Sequence, residues 1–297
     1  MASTFAGHEL YSKKALKVLP AQLAFLGAFS TDISGEAVDE KSKSVDVPLV
    51  EMDAAGAFNR STNNFARPAG TPKSAKVTFG DPIITGFGVT ADQASKIQKQ
   101  FWEGKAELNM TAVAASASGT VTDLVTKANF AKAVTGVSAA TAFTKNGVAK
   151  ICAAVEDATN KLRVKFSTLV LSGEYFYYLL AGLDAAVYGG TEAIRGGVIP
   201  GLFGFRKVMT LPGLTIPGFV CEPSCIAFAS RGFRPADDRP YNVVREIKEP
   251  ESGLTLTLVE YPDGPSGDLS ESVTTRIGAA VGDTGALVRL VSGSTDS

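Results

Sequence analysis

Between two stretches of alternating residues lies MDAAGAFNRSTNNFARPAGTPKSAK, running from Met52 to Lys76. It carries four cations, Arg60, Arg67, Lys73 and Lys76, no acid after Asp53, and, beyond Met52 at its start, only two large apolar side chains, Phe58 and Phe65. Connections this long without a core of their own are uncommon in compact domains unless they are functional or disordered. Whatever the rest of the chain builds, it has to leave this segment outside. The flanks say how. In SKSVDVPLVEM, Val45, Val47 and Leu49 alternate with Asp46, Pro48 and Val50, and Pro48 argues for an edge strand. In KVTFGDPIITGFGVT the alternation returns, with Val77 and Phe79 on one face. Two strands around a long polar segment predict an extended hairpin.

The remaining periodicities predict an α+β fold. Leu16, Leu19, Leu23 and Leu26 give a first helical stripe, interrupted by Pro20. A short helix is expected over Thr90–Trp102 and a longer one over Glu103–Thr126, where Ala106, Met110, Val113, Ala117, Val121 and Leu124 recur at three- and four-residue steps. Gly119 weakens that helix by about 1 kcal/mol, so packing must hold it. Another helix is expected over Thr144–Asn160, with Val148, Ile151, Cys152 and Val155 on one face. KFSTLVLS reads as a buried strand and GEYFYYLLAGL as a helix beside it. Tyr188–Pro217 is dense in glycine and proline around one short strand, GFRKVMTL, and Gly218–Phe228 reads as a strand running into a short helix. The tail is mainly β: YNVVREIKE, GLTLTLVEYP, SVTTRIGAAV and ALVRLV.

The composition excludes several function classes. In 297 residues two domains are expected, and a net charge of −1 argues against a dedicated nucleic-acid binder. His8 is the single histidine and lies in a polar N-terminal segment, which leaves serine- or cysteine-nucleophile chemistry without a positioned base. Cys221 and Cys225, in VCEPSC, have neither the spacing nor the partners of a zinc site, and Cys152 reads as a buried free thiol. GGTEAIRGG and GLFGFR lack the glycine spacing that cradles phosphates. In RPADDRPY, Asp237 and Asp238 are a pair suited to capping a turn or to pairing with Arg234 and Arg239. No catalytic, cofactor-binding or metal-ligating residue is therefore assigned. No window reaches the ~18 apolar residues of a membrane span, and YFYYLLAGLDAAVY is too short and contains Asp184. The N-terminus lacks the apolar run of a secretory signal, so a soluble intracellular product is expected.

Several segments, in serial order, resemble one family. ALKVLPAQLAFLGAFSTDISGEAVDEKSKSVDVPLVE is similar to the opening of tailed-phage coat proteins, a helical arm followed by the strand that starts an extension loop. KFSTLVLSGEYFYYLLAG resembles their strand-then-helix signature, with Gly173 where the family typically has proline. GLFGFRKVMTLPGL, PGFVCEPSCIAFASR and the tail segments ESGLTLTLVEYPD and IGAAVGDTGALVRLV resemble their later blocks. The family is the Hong-Kong-97-type major capsid protein, in the flavour of short-tailed phage coats, without room for a large inserted domain near Gly196–Gly204.

That resemblance implies an N-arm over residues 1–40, an extension loop over 41–89, and an axial domain over 127–240. It implies a peripheral domain with a spine helix over 90–126 and 241–297. It further implies a chain that forms hexamers and pentamers with itself in a virion shell, assembled in the bacterial host cytoplasm around double-stranded DNA. Scaffolding protein and a portal would be its other partners. The arm then lies across a neighbouring subunit, with Arg60, Arg67, Lys73 and Lys76 facing an acidic surface there and Phe58 and Phe65 as apolar anchors. Exposed ion pairs contribute only about 0–1 kcal/mol each, so backbone pairing and the two rings supply most of the grip. The bland alternative is a solvated loop. Rival functions are an encapsulin-like compartment shell and a tail-tube or decoration protein, the latter disfavoured by two long helices.

Overall fold

The computed structural model describes residues 14–15, 22–32, 44–49, 73–90, 99–159, 167–183, 197–233, 243–248, 254–263 and 268–293. The alternating tail builds the first sheet. Strands β1 (Ser30–Asp32), β10 (Ile226–Arg231), β13 (Asp268–Val281), β12 (Thr255–Asp263) and β11 (Val243–Lys248) pair in that order, and β4 (Ile83–Val89) adds to β13. The period of two sorts side chains by face. On β13, Val273 and Ile277 enter the main core, whereas Gly278 and Ala280 face the opposite way, under the hairpin described below. KVTFGDPIITGFGVT is thus two strands, not one: the bend at Gly80–Pro82 sends its second half into the tail sheet.

The second sheet runs β5 (Ala133–Val134), β14 (Leu287–Leu290), β9 (Gly218–Cys221), β6 (Thr168–Leu171), β8 (Phe205–Thr210), β7 (Val198–Leu202). It is covered on both faces, which is why β6 and β14 are buried at every residue and are apolar except for Thr168 and Arg289. On one face lie helices α2 (Lys145–Thr159) and α3 (Gly173–Ala181). Val148, Ile151, Cys152 and Val155 of α2 and Phe176 and Leu179 of α3 pack there against Leu169, Val208, Val220 and Val288.

On the other face lies α1 (Lys99–Thr122), whose stripe Ala106, Met110, Val113, Ala117 and Val121 is buried along its length. This stripe joins Val170, Met209 and Phe219 of the second sheet to Leu258, Val273 and Ile277 of the first in one continuous core. The expected break at Trp102–Glu103 is absent. Nothing there stops a helix, and Gly104 is tolerated with open space around it. The helix ends at Thr122 instead of Thr126: after a last four-residue bond from Asp123 N–H to the Gly119 carbonyl, which also accepts from the Thr122 hydroxyl, Leu124 N–H bonds Val121 and Val125 N–H bonds Thr122, each three residues back.

Of the first helical stripe, Leu23 and Leu26 are buried in and beside a 3-10 helix, Ala24–Ala28, and Phe29 stacks on Phe219 at 6.3 Å. Leu16 and Leu19 lie outside the described residues. Two local expectations change. The glycine- and proline-rich region holds two strands, β7 and β8, joined as a hairpin, with Pro200 on the edge strand. Gly218–Phe228 is β9, a 3-10 turn over Pro223–Cys225, then β10 in the other sheet. The tail likewise feeds both sheets, since β14 leaves β13 to pair with β5 and β9. Arg289, buried on β14, donates through Nε to the Phe130 carbonyl at 2.7 Å.

Candidate inter-subunit surfaces

The flanks of the long polar segment form a two-stranded hairpin, β2 (Ser44–Pro48) and β3 (Ser74–Thr78), with Val45 opposite Val77 and Asp46 opposite Lys76. Leu49 N–H bonds the Lys73 carbonyl at 2.8 Å, carrying the pairing one step outward. One face of the hairpin is apolar: Val47, Ala75 and Val77 are buried on Ala227 and Ala229 of β10. Glycine makes the approach possible. A Cβ at Gly278 would stand 2.6 Å from the Thr78 carbonyl oxygen and 2.8 Å from Val77 Cγ1. The base of the hairpin therefore rests on its own subunit.

Of the residues assigned to neighbour contact, Lys73 and Lys76 are at this base, both exposed, and line an open cleft with Leu49, Gly282 and Asp283. Asp283 already accepts from Gly285 N–H at 2.8 Å in the turn between β13 and β14. Phe58, Arg60, Phe65 and Arg67 lie outside the described residues, as do His8 and the Arg234, Asp237, Asp238 and Arg239 group. Two described N-terminal points touch α1: Lys14 Nζ is 3.5 Å from Glu107, next to buried Ala15, and Gln22 donates to the Thr111 hydroxyl.

Several exposed apolar groups lie away from the hairpin. At the start of α1, Phe87, Phe101 and Trp102 make edge-on contacts with centroids 5.5–6.3 Å apart, with Lys105 Nζ over two of the rings. On α3, Tyr177 and Tyr178 face outward while Tyr175 and Phe176 face in. Helical spacing within EYFYY could have given that division. The hairpin of β7 and β8 turns through Phe203 and Gly204, with φ of 48° and 92°. Two left-handed residues in succession are the signature of a tight hairpin turn, and phenylalanine pays a steric penalty there that glycine or asparagine would not. The Cys152 thiol donates to the Phe203 carbonyl, tying the turn to α2.

The interior chemistry is structural. Cys221 and Cys225 are buried and free, and burial, reinforced by the neighbouring Cys221 thiol, pushes the Cys225 thiol well up. Among the described residues no group of three or more His, Cys, Asp and Glu is placed to hold a metal ion. No described helix is long and apolar enough to cross a membrane.

No family model matches the sequence, and no curated protein matches it. Its fold does match solved structures. The capsid of Ralstonia phage GP4 superposes with a TM-score of 0.53 at 10% identity, over 91% of this chain and 88% of that one. The capsid of a native GTA particle superposes with a TM-score of 0.52 at 12% identity, over 92% and 91%. This chain has the fold of those capsid proteins, from nearly one end to the other.

Proposed function

We propose that this chain is the major capsid protein of a tailed bacteriophage or prophage, assembling through rings of five and six copies into an icosahedral shell around double-stranded DNA. One observation carries the reading: the shared fold takes in about nine-tenths of this chain and of each capsid protein. The arrangement suits the role. A hairpin seated on its own subunit carries a long polar segment in its sequence, and head-to-tail contacts between identical copies close into rings. Many modest contacts per copy then add into a very stable container.

In this reading residues 1–40 are the N-arm and 41–89 the extension loop, rooted on its own subunit and reaching over a neighbour beyond that root, with Phe58 and Phe65 as anchors and Arg60, Arg67, Lys73 and Lys76 on an acidic surface there. Helix α1 is the spine of the peripheral domain, over 90–126 and 241–297, and 127–240 forms the axial domain. Scaffolding protein and a portal are its further partners, and the virion capsid is its location. The test is expression of the chain alone and with its neighbouring genes, followed by negative-stain microscopy. Shells, tubes or capsomer rings are expected; a persistent monomer would overturn the reading. Particles filled with a protein cargo would instead mark an encapsulin-like compartment.

A further inference from the structure

Every exposed sheet edge is a row of backbone donors and acceptors ready to pair, and proteins usually blunt such edges with charge, proline or brevity. Among the described residues, six edges are blunted. β1 is three residues long and ends in Asp32, β5 has two residues, and β7 carries Pro200. β11 carries Arg245, Glu246 and Lys248, β2 carries Asp46 and Pro48, and β3 carries Lys76. β4 differs. Its seven residues, IITGFGV, have neither charge nor proline, and among the described residues it pairs with β13 alone.

The outward face of β4 is self-complementary. Ile84 stands 63% exposed. Four residues along the same face, Gly88 is exposed, and a Cβ built there would meet only Ser270 Oγ, at 3.6 Å, an ordinary contact. Gly86, between them, answers to its own subunit, because a Cβ there would strike the Glu271 carbonyl. We propose that the free edge of β4 pairs antiparallel with β4 of a second copy about a two-fold axis at Gly86, each Ile84 covering the partner's Gly88. Among the described edges, β5 is too short to pair along β4 and the rest would set a charge or a proline against it, whereas β4 itself offers a neutral edge that a two-fold can match. Two seven-residue strands make a small contact, suited to joining rings already held by larger ones. The inference rests on the shell-forming reading.

The test is the double variant Ile84→Cys with Gly88→Cys, assembled and then mildly oxidised. Within one chain these positions lie about 13 Å apart along the strand, beyond disulfide reach, while across the two-fold they face each other. The three native cysteines are buried. Conversion of monomer into a reductant-sensitive dimer is expected, with neither single variant giving it. Particles of the double variant that yield no more dimer than the single variants overturn the pairing and leave the shell reading intact. Failure of the unmodified chain to form any particle overturns both. Should the double variant not assemble, Ile84→Lys decides: its particles should dissociate at lower urea than wild type, and equal resistance overturns the proposal.

Discussion

Gly278 shows how much one missing side chain permits. Its hydrogen lets β3 lie on the tail sheet with the Thr78 carbonyl overhead. Gly278→Val should cost about 1–3 kcal/mol through overpacking, and should unseat the hairpin before the core, so limited proteolysis should cut near Lys73 in the variant first. Equal cleavage in variant and wild type would contradict that seat. Cys225 carries a pH signature. Its thiol, raised by burial, stays neutral in the folded chain when an unfolded thiol, with a pKa near 8.5, ionises. Its contribution is thus fully present below about pH 8.5 and declines as pH rises toward the elevated folded value. Unfolding free energy measured from pH 7 to 10 should fall more steeply for wild type than for Cys225→Ala. Parallel curves would remove the effect.

Among the elements, α1 was the most legible and its limits the least. Its five-residue stripe followed from period alone, yet the start and end depended on Gly104 and Gly119, whose surroundings no sequence pattern reports. Met110→Ala should cost about 2–5 kcal/mol, since Met110 is fully buried, while Leu108→Ala, at a position 66% exposed, should stay within about 0.5 kcal/mol. Gly119→Ala has open space and should gain about 0.5–1 kcal/mol. Chemical denaturation of the three variants checks the order. Strands were legible singly, but their partners were not. The two halves of KVTFGDPIITGFGVT enter different sheets, and β7 hid behind Gly201 and Pro200, residues that argue for loop until an edge position explains them. Of the assigned contact residues, Lys73 and Lys76 proved to be at the hairpin base, where sequence alone had no means of separating base from tip. The outward Tyr177 and Tyr178 went unread although helical spacing could have separated them, and the bare edge of β4 went unread because it becomes visible only once its pairing is known.

Taken whole, the molecule divides by eye into two sheets, yet α1 and the 3-10 helix press into both and a single apolar mass runs between them. Thermal unfolding of the isolated chain should therefore be one transition, with the signals of Trp102, beside the first sheet, and of the tyrosines of α3, on the second, disappearing together. Two separate midpoints would mean the halves are independent. The strand path makes the same point, because β13 and β14 are joined by a short turn and stitched into opposite sheets. Among the described residues, a body welded in this way should move as one piece. Neighbours meet at steeper angles around a five-membered ring than around a six-membered one. On the shell reading proposed above, a subunit of this build takes up that difference in tilt where one copy touches the next.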